Sequence, residues 1–206
     1  MENRRAKISL AAGILRPNVH FRLLGFVPLA FFVTQAVHYW KINELGHMLW
    51  MCNIGNLLLA IGLFLEHSVL IRAATLWMIP GLVVWVVYVV AAWGMFFSST
   101  LAHAGGLIVG LIAVRRARMD SSAWRYAFGW YLVIQIVSRF ATPRALNVNV
   151  SQQIQPGWEL MFSAYWQFWS VLTIGVAVSL WMVGLIFRRI YPESGPKVNY
   201  QTSSLS

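Results

Sequence analysis

Long apolar stretches, separated by short polar segments, dominate the pattern of this chain. A helix that crosses a membrane needs about 20 mostly apolar residues, because the hydrocarbon core is about 30 Å thick. The chain is therefore predicted to be an all-α, polytopic membrane protein. Five stretches meet the requirement and predict spanning helices at 22–40, 45–65, 98–115, 124–140 and 160–187.

A further apolar stretch, residues 69–96, is long for an ordinary crossing. As a straight helix, with a rise of about 1.5 Å per residue, it would measure about 42 Å. Pro80 and Gly81 divide it, and proline interrupts helical hydrogen bonding. Two interpretations follow: one kinked, tilted crossing, or two half-helices that enter the membrane and return on the same side.

The distribution of Lys and Arg distinguishes these interpretations, because basic residues concentrate in cytoplasmic loops. With one crossing, only Lys41, Arg139 and Arg144 lie outside, and the other 13 of the 16 basic residues are cytoplasmic. With two half-helices, every later segment changes side and the division becomes 8 to 8. The count predicts one crossing, about six spanning helices in total, and both chain ends in the cytoplasm.

Composition divides the chain into three regions. Residues 1–21 are basic and are predicted to form a short cytoplasmic helix at the membrane interface. Residues 22–190 form the six-helix transmembrane domain, and residues 191–206, rich in Pro, Ser, Gly and Asn, form a disordered cytoplasmic tail. No small-residue cleavage site follows the first apolar stretch, so we expect it to be retained rather than removed as a signal peptide.

The overall composition agrees with a membrane protein. Of all residues, 59% are hydrophobic and 11% are charged, whereas soluble domains have about 25% charged residues. The net charge of +10 raises the alternative of nucleic-acid binding, but no basic face repeats along a helix, which argues against it. We expect a multi-pass protein of the cell (inner) membrane that interacts with membrane lipid. The sequence leaves the oligomeric state open.

Polar side chains in the predicted spans concentrate toward the outside. The inner halves 23–33, 57–65 and 107–114 carry almost none, and the one long loop, 141–158, also lies outside. Five helices with polar residues at one depth predict a shared cleft that opens outward. These residues are Thr34, Gln35, His38, His47, Cys52, Asn53, Asn56, Ser99, His103, Tyr131, Gln135, Ser138, Arg139, Ser163, Tyr165, Trp166 and Gln167.

Ordinary structural roles compete with this interpretation, since Asn, Gln and His also bridge neighbouring membrane helices. A buried charge is different, because it costs at least about 2.5–3.5 kcal/mol in a membrane. His103, Arg139 and Glu159 are therefore functional candidates, and the alternative for Arg139 and Glu159 is a position at the water interface. His103 shares a helix face with Gly106 and Gly110, whose spacing predicts a close helix contact rather than exposure to lipid.

Cys52 and His103 suggest thiol–histidine acyl chemistry. In this interpretation Cys52 is the nucleophile and His103 the base, while Asn53 or Asn56 orients the base or stabilises an oxyanion. The structural alternative is that Cys52, the single cysteine of the chain, is a small buried hydrophobic residue. No local motif guarantees that the thiol and the imidazole meet.

Two other interpretations use the remaining polar residues. The spacing of His38, His47 and His103 matches no helical metal motif, and neither a metal nor a cofactor is predicted. A non-catalytic cleft would bind a lipid headgroup or small molecule, with Arg139 and Arg144 suited to an anionic group. The candidate substrate-binding residues are His38, His47, Gln135, Ser138, Arg139, Asn147, Tyr165, Trp166 and Gln167.

The order of the two reactive residues resembles a known family. Cys52 lies early in the second span, within Trp50-Met51-Cys52-Asn53, and His103 lies early in the fourth. This layout, over residues 22–187, resembles the YwaF-type bacterial membrane proteins and their eukaryotic relative, a transmembrane Cys–His phospholipid acyltransferase. It is also similar to the ADTRP-type threonine hydrolases of fatty-acid esters. The resemblance implies acyl transfer or ester hydrolysis on a lipid, with Cys52 as nucleophile and His103 as its partner.

Overall fold

The computed structural model describes residues 13–92 and 97–193, and these residues fold mainly as helices. No strand occurs within these ranges, which confirms the all-α class. Three short 3₁₀ turns, Leu45–Leu49, Arg144–Leu146 and Val148–Val150, lie between the α-helices. The α-helices are α1 Val19–Leu23, α2 Phe26–Lys41, α3 Met51–Phe64, α4 Ser68–Ala92, α5 Phe97–Ala117, α6 Ala123–Ala141 and α7 Tyr165–Ile190.

The fold is that of a multi-pass helical membrane protein. α3 is apolar but has only 14 residues. α6 has 19 residues, but Arg125, Gln135 and Arg139 lower its mean hydropathy, so it is not one of the four candidate spans given below. The total of six crossings, with both ends in the cytoplasm, stays a prediction. Among the described residues, four segments are long and apolar enough to cross a membrane: Val19–Lys41, Ser68–Val90, Phe97–Ala117 and Tyr165–Ile190.

The long apolar stretch that begins at residue 69 forms one helix as far as the structure describes it. α4 continues from Ser68 to Ala92 with Pro80 inside it. Over residues 69–92 the alternative of two half-helices is therefore wrong. The continuous helix agrees with the single crossing that the charge count predicted, and the crossing itself stays a prediction.

α4 is the central helix, and it packs against α3, α5, α6 and α7. Trp77 of α4, which is 2% exposed, donates from Nε1 to the Ala127 carbonyl at 2.9 Å and ties α4 to α6. A Cβ on Gly110 of α5 would lie 3.0 Å from Thr75 Oγ1, so only glycine allows α5 to approach α4 this closely. The close contact predicted from the spacing of Gly106 and Gly110 is thus confirmed.

The two ends of the bundle differ, and we name them by what they carry. The loop end, predicted to face outside, carries residues 42–50 and 142–164. The basic end, predicted to be cytoplasmic, carries residues 13–18 and 118–122. At the loop end two predicted helices begin late. The helix predicted over 45–65 starts at Met51 because Trp50 has a ψ of 137°, and the helix predicted from 160 starts at Tyr165 after an extended Ala164.

Buried polar and charged side chains are not confined to the loop end, although the sequence predicted that they would be. Glu66, at the basic end, is 1% exposed. Its carboxylate accepts the Asn18 N–H at 2.6 Å and an Arg22 N–H at 3.3 Å, and Arg116 lies 3.8 Å away. Its carbonyl accepts the Leu15 N–H at 2.8 Å. A buried carboxylate is tolerated here because each of its oxygens has a partner.

This attachment changes the prediction for the N-terminal region. Residues 13–18 are not helical; the Gly13 carbonyl accepts the Ser68 N–H at 2.7 Å, and the segment lies against residues 66–68. The helix predicted over 1–21 is therefore wrong for residues 13–18. Residues 1–12 lie outside the described residues.

Arg72 is the second buried charge at the basic end, with 7% exposure. It donates to the Ala117 carbonyl at 2.9 Å and to the Arg118 carbonyl at 2.7 Å, and it pairs with Asp120. The last carbonyl groups of a helix have no partner within the helix, so Arg72 supplies donors that the end of α5 needs.

The start of the predicted C-terminal tail is ordered. Met119 N–H donates to the Tyr191 carbonyl at 2.8 Å, and Glu193 lies 3.4 Å from Arg72. The prediction of disorder is therefore wrong for residues 191–193, while residues 194–206 lie outside the described residues.

Candidate functional site

Asn149 fixes the loop that covers the loop end. Its φ of 53° is left-handed, a conformation that Asn adopts more readily than most residues. Its side-chain amide donates to the Leu49 carbonyl at 2.7 Å and to Ser138 Oγ at 2.9 Å. Its Oδ1 accepts the Met51 N–H at 3.0 Å, which satisfies a free donor at the start of α3. One side chain thus joins the loop to α3 and α6.

Gln135 and Asn147 complete this attachment. Gln135 Nε2 donates to the Asn149 carbonyl at 2.7 Å and to the Tyr131 hydroxyl at 3.1 Å. Asn147 Oδ1 accepts the N–H groups of Gln152 and Gln153, each at 3.1 Å. Gln135, Ser138 and Asn147 were predicted to line an open cleft, but they are buried beneath or within the loop. Their hydrogen bonds hold the loop in place.

The Cys52 and His103 segments meet on the other side of this loop. Asn56, which is fully buried, donates one amide hydrogen to the Cys52 carbonyl and the other to the Ala102 carbonyl, both at 2.9 Å. An amide group spans only a few ångströms. α3 and α5 are therefore in direct contact at the depth of Cys52 and His103.

His103 lies in a π-helical turn, Leu101–Gly105, inside α5. Such turns are rare, and they often occur at functional sites. The Nδ1 of His103 is 2.8 Å from the Ser99 carbonyl, which can only accept, so Nδ1 carries the hydrogen. When the ring is neutral, Nε2 is therefore left as a hydrogen-bond acceptor. The imidazole is 8% exposed.

Trp85 of α4 supports the His103 ring. The two rings stack with centroids 5.2 Å apart and planes 20° apart. Trp85 Nε1 donates to Ser99 Oγ at 2.8 Å, so both aromatic groups are fixed to the same residue. Next to them, Ser98 Oγ donates to Gln35 Oε1 at 2.9 Å, and Gln35 is 1% exposed. α2, α4 and α5 are thereby joined around His103.

Cys52 has a half-buried, free thiol. No hydrogen bond joins the thiol to His103 in the part of the chain that the structure describes. We call Gln35, Cys52, Asn56, Trp85, Ser99 and His103 the His103 cluster.

The other predicted residues of the second span lie at the edge of this cluster. Asn53 is 1% exposed, and its amide donates to the His47 carbonyl at 3.0 Å. His47 Nδ1 accepts the Trp50 indole N–H at 2.9 Å, and Nε2 is 3.1 Å from the Glu44 carboxylate. Both ring nitrogens of His47 therefore have neighbours from its own turn, and the residue has a structural role. His38 packs edge-on against Tyr39, with ring centroids 5.3 Å apart.

The described residues contain no group of three His, Cys, Asp or Glu side chains arranged to hold a metal ion.

A second site lies at the loop end between α6 and α7. A groove of about 400 Å³ is lined by Arg139, Phe140, Arg144, Gln152 and Tyr165. Arg139 donates to the Ser151 carbonyl at 2.9 Å, and its guanidinium lies 5.4 Å from the centre of the Tyr165 ring. The sequence placed Arg139 and Tyr165 in the same site as Cys52, but among the described residues no hydrogen bond or ring contact joins either of them to the His103 cluster.

Two predicted binding residues are not part of either site. Trp166 is 66% exposed and does not line the groove. Gln167 Oε1 accepts the Ser163 hydroxyl at 2.9 Å, a local bond at the start of α7.

Sequence reasoning missed Trp85 and underestimated Asn149. Trp85 lies in the second half of α4, where residues 81–92 are almost all apolar, so no periodicity indicated which side it faces. The pair Asn147-x-Asn149 in a loop was a usable signal, because Asn favours left-handed turns. Comparisons of the chain with family models, with curated proteins and with solved structures found no match.

Proposed function

We propose that this protein transfers or hydrolyses acyl groups of membrane lipids, with Cys52 as nucleophile and His103 as base. The observation that carries the proposal is the hydrogen bond from Asn56 to the Ala102 carbonyl, next to His103. This bond ties the helix that carries Cys52 to the turn that presents the imidazole, and a second bond, to the Cys52 carbonyl four residues earlier in the same helix, fixes the Asn56 side chain. His103 lies on α5, which is long and apolar enough to cross a membrane, and this supports a lipid as the substrate.

The tautomer of His103 suits a general base. Nδ1–H is held by the Ser99 carbonyl, and Trp85 stacks on the ring, so the ring orientation is fixed. Nε2 then has the free lone pair that accepts a proton. The proposal requires the Cys52 thiol to reach Nε2 in the complex with substrate, and catalytic hydrogen bonds often tighten only when substrate is bound.

The proposed reaction has two steps. His103 Nε2 takes the thiol proton, and the Cys52 thiolate attacks the ester carbonyl of a lipid. The C–O ester bond then breaks, a thioester forms, and the His103 proton passes to the departing alcohol. In the second step water or another alcohol gives its proton to His103 and attacks the thioester carbonyl. The C–S bond then breaks, and the departing Cys52 thiolate takes the proton from His103, which restores the thiol and the neutral imidazole.

Hydrogen-bond counting separates the roles of the two asparagines. An amide group has two N–H donors, and Asn56 uses both on backbone carbonyls. Asn56 is therefore a positioning residue. Asn53 uses one donor on the His47 carbonyl, and the second remains for the oxyanion of a tetrahedral intermediate.

Trapping of the thioester tests the proposal. The protein, purified in detergent, is incubated with a phospholipid that carries a fluorescent acyl chain, and covalent label is followed with and without neutral hydroxylamine. We expect a hydroxylamine-sensitive label that is absent in Cys52→Ala and strongly reduced in His103→Ala. Cys52 is the only cysteine, so thioester label on the wild type can have only one source. Label that persists in Cys52→Ala, or no label with any ester lipid, would overturn the proposal.

A further inference from the structure

We infer that the groove between α6 and α7 is a phosphate-binding site, separate from the His103 cluster. Its ligand is a phosphate or phosphodiester, either on a phospholipid headgroup or free in solution. The inference rests on two arginines, Arg139 and Arg144, which line one concave surface of about 400 Å³.

The charge of the groove is not neutralised by the protein. In the part of the chain that the structure describes, neither Arg139 nor Arg144 forms an ion pair. In the predicted orientation only three basic residues face outside, and two of them line this groove. Arginine recognises phosphate because its planar donors match two phosphate oxygens at once.

Arg139 is held in place for this role. The hydrogen bond to Ser151 uses one of its five N–H donors, and the ring of Tyr165 lies against the guanidinium. Four donors remain for a ligand. Tyr165 is itself fixed, because its hydroxyl donates to the Val150 carbonyl at 3.2 Å. A side chain fixed before binding loses less conformational freedom when the ligand arrives.

Gln152, which lines the same groove as Arg139, makes its part of the groove wall rigid. Its Nε2 donates to the Thr142 carbonyl at 2.8 Å and to Thr142 Oγ1 at 3.1 Å. Asn147 accepts the Gln152 backbone N–H at 3.1 Å. The wall therefore belongs to the same bonded loop that covers the end of the bundle.

One acidic residue, Glu159, lines the adjoining part of the groove, of about 330 Å³. One of its carboxylate oxygens accepts the Gly157 N–H at 2.7 Å. A fixed negative charge near the arginines weakens the binding of an anion. Removing the Glu159 charge is therefore expected to increase the affinity for an anion, whereas removing an arginine is expected to decrease it.

An apolar side chain next to the arginines favours a lipid source of the phosphate. Phe140, which lines the groove, is 83% exposed. Such an exposed aromatic ring suits acyl chains at the membrane interface.

Binding to the full-length protein in a neutral detergent tests the inference. The three probes are inorganic phosphate, a short-chain phosphatidylglycerol, and a neutral diacylglycerol with the same chains. Binding is measured by calorimetry for phosphate and by native mass spectrometry for the lipids. The matched variants are Arg144→Ala, Glu159→Gln, and Lys41→Ala, which removes an outside charge away from the groove.

We expect phosphatidylglycerol to bind and diacylglycerol not to bind. We expect Arg144→Ala to weaken binding by about tenfold or more, because a hydrogen bond to a charged group is lost. Glu159→Gln should strengthen it, and Lys41→Ala should leave it unchanged. Binding of inorganic phosphate that depends on Arg144 supports the site and assigns it to a soluble phosphate as well.

The inference is overturned if Arg144→Ala and Lys41→Ala weaken binding equally, since that would indicate general charge attraction. It is also overturned if neither phosphate-bearing probe binds, or if diacylglycerol binds as well as phosphatidylglycerol. The Cys52→Ala variant should bind like the wild type, so failure of the proposed acyl chemistry and failure of this site give different results.

Discussion

Asn56 donates a hydrogen bond to the Ala102 carbonyl at 2.9 Å, across 46 positions of the chain. This bond ties α3 to the π-helical turn of α5, and a second bond, to the Cys52 carbonyl within α3, fixes the direction of the Asn56 side chain. The position of His103 relative to Cys52 therefore depends on a residue that has no free donor for chemistry.

Asn56→Ala removes both bonds. We expect it to lower the free energy of unfolding by about 1–3 kcal/mol, since a hydrogen bond between membrane helices contributes about 0.6–2 kcal/mol and the local bond to the Cys52 carbonyl is lost as well. Unfolding in mixed micelles with a denaturing detergent measures the change. Asn53→Ala, which removes one hydrogen bond, is the control and should cost about half as much. Equal effects of the two substitutions would contradict the bridging role of Asn56.

Gly106 offers a steric test of the same contact. A Cβ on Gly106 would lie 2.6 Å from Asn56 Oδ1, so alanine there must displace the bridging side chain. We expect Gly106→Ala to lower stability by about 1–3 kcal/mol, a typical cost of overpacking. Gly175→Ala is the matched control, because a Cβ on Gly175 meets nothing within 4 Å.

The control should be neutral or should gain up to about 1 kcal/mol from better helix propensity. The melting midpoints of both variants, measured by intrinsic fluorescence, check this pair. A Gly106→Ala protein as stable as Gly175→Ala would show that α3 and α5 are not packed as described.

Asn149 is expected to hold the loop end closed. Asn149→Gly keeps a residue that accepts the left-handed backbone and removes the three side-chain hydrogen bonds to Leu49, Met51 and Ser138. We expect amide hydrogen exchange at Met51 to increase by about tenfold or more, which corresponds to a loss of at least 1.4 kcal/mol. Exchange in the middle of α4 should not change. Unaltered exchange at Met51 would mean that its amide is protected by other groups.

Glu66 is expected to hold residues 13–18 against the basic end. Glu66→Ala removes the acceptor of the Asn18 N–H and the partner of Arg22. Hydrogen bonds to charged groups contribute about 1.5–3 kcal/mol, so the segment should detach more often. Faster amide exchange at Asn18 and Leu15 is the measurement. Glu66→Gln keeps an acceptor for Asn18 and should show a smaller increase, and an equal increase would indicate that Glu66 acts through charge alone.

Much of the helical layout could be predicted from the sequence, because membrane helices are marked by long apolar runs. The single helix through Pro80 could also be predicted, since charge counting does not depend on local geometry. The depth of Asn56 and His103 followed from their place along each span. The hydrogen bond from Asn56 to the Ala102 carbonyl could not be predicted, because Ala102 and His103 lie in a π-helical turn, Leu101–Gly105, that the apolar pattern does not indicate.

The buried charges were harder to predict. Glu66 and Arg72 lie at the ends of apolar stretches, where exposed charges are also common, and only their partners distinguish the two cases. Asp120 and Asn18 are more than 40 positions away from those charges. Likewise, Gln135 and Ser138 have the polarity of cleft residues, and only the fold of residues 147–153 reveals that they bond the loop.

The reactivity of Cys52 toward iodoacetamide in intact membranes tests the central claim most directly. Wild type is compared with His103→Ala and with His67→Ala, a histidine at the basic end. If His103 activates the thiol, the alkylation rate falls by about tenfold or more in His103→Ala, since the thiolate is the reacting form. It stays at the wild-type value in His67→Ala. An alkylation rate that is the same in wild type and His103→Ala would contradict the pairing of Cys52 with His103.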